Sequence, residues 1–231
     1  LPDALFGDPS THVRAAAADA AAASGDERFI PLLNRMPPGA LAEGRALLAL
    51  AKLQGDAAAG ALAKARLDPR WWIRARAYEA SAVLFNGAEI LLSGITEPDP
   101  RVSSQALETL AASTSPLALP ALERVLRDPN APLELLGTAV DAAVERKGDA
   151  LLAGLREAAK SPTAQGSAEL RGSIHKVLDD FPSFNDEPRR FPPLKAAASV
   201  EMETDKGIFT IALDLAAENH AAAFAQGVKD G

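Results

Sequence analysis

The chain has 231 residues, 48% of them hydrophobic, with few aromatics, no cysteine and a formal charge of −7. The acidic balance argues against a nucleic-acid partner, which needs a basic face to neutralise phosphates. Without cysteine there are no disulfides or thiolate metal sites, and the compartment stays open between cytoplasm and periplasm. Much of the apolar content is alanine, the best helix former and a poor strand residue, so closely packed helices are expected and large sheets are not. No apolar run reads as long enough to span a bilayer. The chain starts at Leu1 rather than methionine, so residues upstream are expected to have been removed.

Proline-bearing turns recur at Pro9, Pro38, Pro69, Pro100, Pro129 and Pro162, at gaps of 29, 31, 31, 29 and 33 residues. Four of these prolines follow an aspartate: Asp8, Asp68, Asp99 and Asp128. A second set of breaks falls half a period later, at Gly25-Asp26, Gly55-Asp56, Asn86-Gly87, Ser115-Pro116 and Gly148-Asp149. Two turn signals per period, with helical pattern between them, predict stacked helix pairs.

In chain order, Asp8-Pro9 opens the first unit, with the aspartate as cap and the proline just inside the helix. Val13, Ala16, Ala17 and Ala20 supply its apolar stripe, and Phe29, Leu32, Leu33 and Met36 that of the second helix. Unit two is looser, with its break at Gly55-Asp56. Unit three carries Asp68-Pro69, Ile73-Arg74, Ala77 and Ala80, then Ile90, Leu91 and Ile95. Unit four carries Asp99-Pro100, Val102, Ala106 and Leu110, then Leu119, Leu122, Val125 and Leu126. Unit five is again looser, and unit six fades at Leu178.

Asp-Pro, a few residues, Val/Ile-Arg, spaced alanines, Gly-Asp, then a proline-leucine helix: this order resembles the short HEAT-like repeat over roughly residues 7–181. Val13-Arg14 and Ile73-Arg74 carry its arginine, and Val102-Ser103 departs from it. The resemblance implies a mostly α fold, a right-handed α-solenoid of about six helix pairs, and an internal structural role for Arg74. It does not imply one function, since the repeat serves many.

Residues 182–198 hold four prolines among charges and read as an extended linker. The period then switches to two: Val200, Met202 and Thr204 alternate with Glu201 and Glu203, and Phe209, Ile211 and Leu213 with Ile208, Thr210 and Ala212. With Asp205-Lys206-Gly207 as the turn, this predicts a β-hairpin. A helix with Ala221, Phe224, Ala225 and Val228 on one stripe follows. Residues 199–231 resemble the opening hairpin and first helix of cyclophilin-type peptidyl-prolyl isomerases, cut short. That resemblance implies a parent isomerase acting on X–Pro bonds with no cofactor. The family's catalytic Phe-His-Arg motif lies downstream of this helix, so no catalytic residue is carried over and this chain alone is expected to be inactive.

His12, His175 and His220 stand apart with no ligand spacing between them, so no metal site is read. Asp179-Asp180 and Asp186-Glu187 read as solvated helix-end and linker charges. The candidate partner-contacting residues are Trp71, Trp72 and Arg76. Adjacent helical residues point about 100° apart, so one tryptophan is expected between units and the other on the outer ridge. The alternative is a partner-contacting tryptophan, a residue type enriched at binding hot spots. The expected partners are protein or peptide clients. The oligomeric state is open, with dimerisation through the hairpin's free edges allowed. Three rival readings remain: a stand-alone protein-binding scaffold with no enzymatic activity, a different enzyme on the same repeat as in the bilin lyases, and a DNA-binding repeat protein, which the charge disfavours.

Overall fold

The computed structural model describes residues 2–146, 149–178, 199–204 and 207–212. The chain is mostly helical and carries one small two-stranded antiparallel hairpin. It divides into two compact units, 1–181 and 182–231.

In the first unit, a 3-10 turn at Asp3–Gly7 leads into α1 (Thr11–Ser24), α2 (Ile30–Asn34), α3 (Ala40–Gln54), α4 (Ala59–Ala65), α5 (Trp71–Ala80) and α6 (Gly87–Gly94). Then come α7 (Pro100–Ala112), α8 (Ala118–Leu126), α9 (Leu133–Arg146), α10 (Leu152–Lys160), α11 (Pro162–Gly166) and α12 (Ala168–His175). Alternate helices pack serially, α1 on α3, α3 on α5, α5 on α7 and α7 on α9, and α9 packs in turn on α12.

The aspartates bind the N–H two residues on, as short polar side chains at turns do, yet they do not all cap the helix. Asp99 is the N-cap of α7 and Pro100 its first residue, as expected. At Asp8-Pro9 the expectation is corrected: α1 starts at Thr11 with Ser10 as N-cap, and Asp8 Oδ1 accepts the Ser10 N–H at 2.8 Å. Asp68 does the same for Arg70, ahead of α5. An arginine six positions after the aspartate accompanies this later start but does not alone decide it: Asp128, with Glu134 at that position, binds the Asn130 N–H, and α9 begins only at Leu133. Arg14 donates to the carbonyls of Asp8 and Pro9, and Arg74 to those of Asp68 and Pro69. Six positions after Asp99 stands Gln105 instead. The Asp99 carbonyl accepts the Ser103 N–H at 3.1 Å, and the helix begins two residues sooner.

The α1 stripe is also corrected. Arg14, Ala15, Ala17, Ala18 and Ala21 are buried, while Ala16 is exposed and Val13 and Ala20 are half-buried. Alanine lies all round this helix, so the arginine's inward bonds set its rotation. In α8, Leu122, Val125 and Leu126 are buried as expected, but Leu119 is 41% exposed.

Left-handed backbone at Gly25 (φ 68°) ends α1. Gly87 answers a close approach instead: a Cβ there would lie 2.4 Å from the Ser81 carbonyl oxygen. Gly87→Ala is expected to cost about 1–3 kcal/mol of stability by overpacking. Gly60→Ala, in α4 with nothing within 4 Å of the added Cβ, should stabilise by about 0.5–1 kcal/mol. Urea melts of both variants check the pair, and equal effects would contradict the packing at Gly87.

The buried side chains form three clusters. The largest runs from Ala75 and Tyr78 through Leu107, Leu122, Leu136 and Leu155 to Leu178. Phe6, Ala17, Phe29, Leu33 and Ala49 make a second, in which the Phe6 and Phe29 rings stack at 5.6 Å. Ala51, Ala58, Leu62, Ala80 and Leu84 make a third.

The stretch Ala40–Ala65 qualifies the reading of the apolar runs: its 26 residues contain an 18-residue window of mean hydropathy 1.2, long and apolar enough to cross a membrane by length and composition. Here it is interrupted at Gly55 (φ 55°, ψ −133°) by a 3-10 turn at Gly55–Ala58.

In the second unit, β1 (Ser199–Thr204) pairs antiparallel with β2 (Gly207–Ala212). Val200 lies opposite Ile211 and Met202 opposite Phe209, which puts the apolar residues at matching register positions. Gly207 pairs with Thr204, so it belongs to the strand rather than the turn. The predicted linker at 182–198 and the helix after residue 212 lie outside the described residues.

Candidate functional site

The start of α5 holds both predicted tryptophans. Trp71 and Trp72 are both half-buried, with their rings edge to face at 6.0 Å. Trp71 packs on the largest core cluster, and the Arg101 guanidinium of α7 covers its ring at 4.0 Å from the centroid. The guanidinium is a weakly hydrated plane that stacks on an aromatic face without losing its charge. Trp72 Nε1 is buried and has no hydrogen-bond partner. Arg76, one helical turn after Trp72, does not join the pair. Its guanidinium is hydrogen-bonded to Glu79, and its stem lies over Gly44 of α3, where an added Cβ would be 2.9 Å from Arg76 Cγ.

Around these rings the polar groups are mostly spent on one another. Arg70 donates to Asp68 through Nε at 2.9 Å and Nη2 at 3.0 Å, and reaches Glu43 of α3 through Nη1 at 2.7 Å. Arg101 repeats the return contact on Asp99. Arg74 lies 3.5 Å from Glu97, which also accepts from the Tyr78 hydroxyl at 3.4 Å. Burial, and then the Glu97 charge, push the Tyr78 hydroxyl up from its usual value. The expected structural role of Arg74 has its counterpart in Arg14, only 6% exposed, which also bonds the Pro38 carbonyl at 3.1 Å. Arg171 of α12, which the sequence reading passed over, bonds the Gln165 carbonyl six residues back in the same manner.

Hydrogen bonds from Arg70 and Arg101 hold the Asp68 and Asp99 carboxyls below the usual carboxylate value. A carboxyl depressed in the folded state stabilises above its unfolded value, about 3.9 for aspartate, and that contribution is lost as pH falls through the folded value. Stability should therefore decline below about pH 4. The double variant Asp68→Asn, Asp99→Asn should show a shallower decline, read from melting temperature against pH. An unchanged acid slope would remove these two carboxylates as its source.

Two clefts flank this region. The first, of about 680 Å³, lies between α7 and α9 and is lined by Glu108, Asp141, Glu145 and Arg146 above an alanine floor. The second, of about 550 Å³, is apolar and lies between α2, α3, α4 and the start of α5. Its wall includes Met36, Leu47, Leu50, Ala61, Leu67 and Ile73, with Arg70, Asp68 and Glu43 on one rim and Lys64 on another. The sequence reading missed this cleft. Two signals point to it in hindsight: Pro37-Pro38, which follows the short α2, and the small run Ala59-Gly60-Ala61 on α4.

No group of three or more histidines, aspartates or glutamates that could hold a metal occurs among the described residues. His12 and His175 are exposed, and His220 lies outside the described residues. The arrangement offers aromatic, apolar and paired ionic surface for binding. Compared with known protein families and with curated protein sequences, the chain matches none.

Proposed function

We propose that the first unit is a right-handed α-solenoid of about six HEAT-like helix pairs. It serves as a protein-interaction scaffold in a parent protein that also carries a cyclophilin-type peptidyl-prolyl isomerase domain. The observation that carries the scaffold reading is the serial packing of α1, α3, α5, α7 and α9, joined by arginine clamps on the turns at Asp8 and Asp68. Such an array offers long faces between its helices rather than one enclosed pocket. The antiparallel register of β1 and β2 supports the isomerase reading of the tail. Partners bind the scaffold, and the isomerase would act on their X–Pro bonds, whose uncatalysed exchange takes tens of seconds or longer.

The scaffold is tested with a permanently unfolded, carboxymethylated model protein as client. Saturable binding with a Kd below about 100 μM is expected, and no binding at that concentration sinks the scaffold reading. The isomerase half is tested by the intact mass of the natural protein. About 120 residues or more beyond this chain's 24.0 kDa are what a second compact domain needs. A natural mass of 24.0 kDa would leave the stand-alone scaffold.

A further inference from the structure

We propose that the apolar cleft between α2 and α4 receives an acidic amphipathic helix of a partner protein. The proposal rests on the scaffold reading and deepens it by naming a surface and the chemistry of its occupant.

The cleft exists because two neighbouring helices fall short of each other. α2 is five residues long and stops at Asn34, and α4 offers Ala61 and Ala65 to the space instead of large side chains. The core is divided here as well: the cluster of Phe29 and Leu33 does not merge with that of Leu62. Leu47, Leu50 and Met36 are therefore only half-buried, and Leu67 at the rim is 85% exposed. A space of about 550 Å³ takes a few apolar side chains from one face of a helix, the spacing by which a helix enters a groove.

An extended strand is a poor occupant. It needs a free sheet edge to pair with, and this wall is made of helices and their connecting turns. A helix satisfies its own backbone and brings only side chains.

The rim sets the sign of charge. Both acids beside the cleft, Glu43 and Asp68, are held by Arg70. Lys64, among the lining residues, has no side-chain partner among the described residues. In a chain of net charge −7, the unpaired charge lining this opening is a cation. It complements a carboxylate flanking an apolar stripe.

The probe is a fluorescein-labelled, stapled helix of about 15 residues, with leucines on one face and glutamates on its flanks, followed by anisotropy with the full chain. The glutamate probe should bind, and the same peptide with lysines for glutamates should bind more weakly. Ala61→Trp fills the cleft from an exposed position, so the fold should persist by circular dichroism; it should raise Kd about tenfold or more. Lys64→Glu should raise it about threefold, with the difference shrinking as salt is added. An affinity unchanged by Ala61→Trp, or equal binding of the lysine peptide, overturns the proposal. So does a dimer of the unaltered chain that Ala61→Trp dissolves, because a second copy would then fill the cleft. If the unfolded client binds while the helix probe does not, this inference fails and the scaffold reading stands. If neither binds, both fall.

Discussion

Replacing Leu110 with alanine is expected to lower the unfolding free energy by about 3–4 kcal/mol. Leu110 of α7 is fully buried in the largest cluster. Its helix is held between α5 and α9 and also packs on α6 and α8, so the cavity left by the lost methyls cannot readily close. The cost then includes the cavity as well as the lost transfer energy. Leu119→Ala is the control. That side chain is 41% exposed, and its loss should cost under about 1 kcal/mol. Chemical denaturation of both variants measures the contrast. Similar costs at the two positions would mean that α7 and α8 face the core differently from the arrangement described.

The second large effect is expected at Arg14. Arg14→Met keeps an apolar stem but leaves the carbonyls of Asp8, Pro9 and Pro38 without their charged donor. A loss of about 2–3 kcal/mol is expected, because a hydrogen bond to a charged group is stronger than a neutral one and an orphaned buried acceptor is costly. Arg14→Lys should recover little, since a point ammonium lacks the planar fork that reaches three carbonyls on two turns. Arg74→Met should cost about half as much: its side chain is 18% exposed, so water reaches the groups left behind. Thermal melts of the three variants order these costs. If Arg14→Met costs no more than Arg74→Met, the buried clamp is not a major support of the first turn.

The turn chemistry was the most legible part of the fold. Aspartate, proline and, six positions on, arginine or its absence were all present in the sequence. At three of the four Asp-Pro sites they track whether a helix opens at the proline, as at Pro100, or two residues later, as at Thr11 and Trp71; at Asp128-Pro129 a second proline, Pro132, intervenes and α9 opens at Leu133. The alternation of β1 and β2 was legible for the same reason, since both signals are local. The rotation of α1 was not, because alanine on every side gives no stripe to read. The tryptophans resisted sequence reading too. An inner and an outer ring were expected, whereas both are half-buried, and Arg101 of α7 covers Trp71. The apolar cleft depends on how far apart α2 and α4 stand. That is a distance between units, and no periodicity within one helix encodes it.

The division of the core means that this chain should not melt as one body. The cluster running from α5 to α12 is rich in leucine, whereas the cluster around α1 is mostly alanine with two phenylalanines and one leucine. Apolar stabilisation scales with the area removed from water, and alanine removes little. The N-terminal helices should therefore open first, as a cooperative segment of lower free energy, and their amides should exchange with deuterium ahead of those in α7 to α9. Both tryptophans sit in α5, where Trp71 packs on the larger cluster. Their fluorescence is thus blind to the early loss, and a melt followed by tryptophan emission should lag one followed by helical ellipticity.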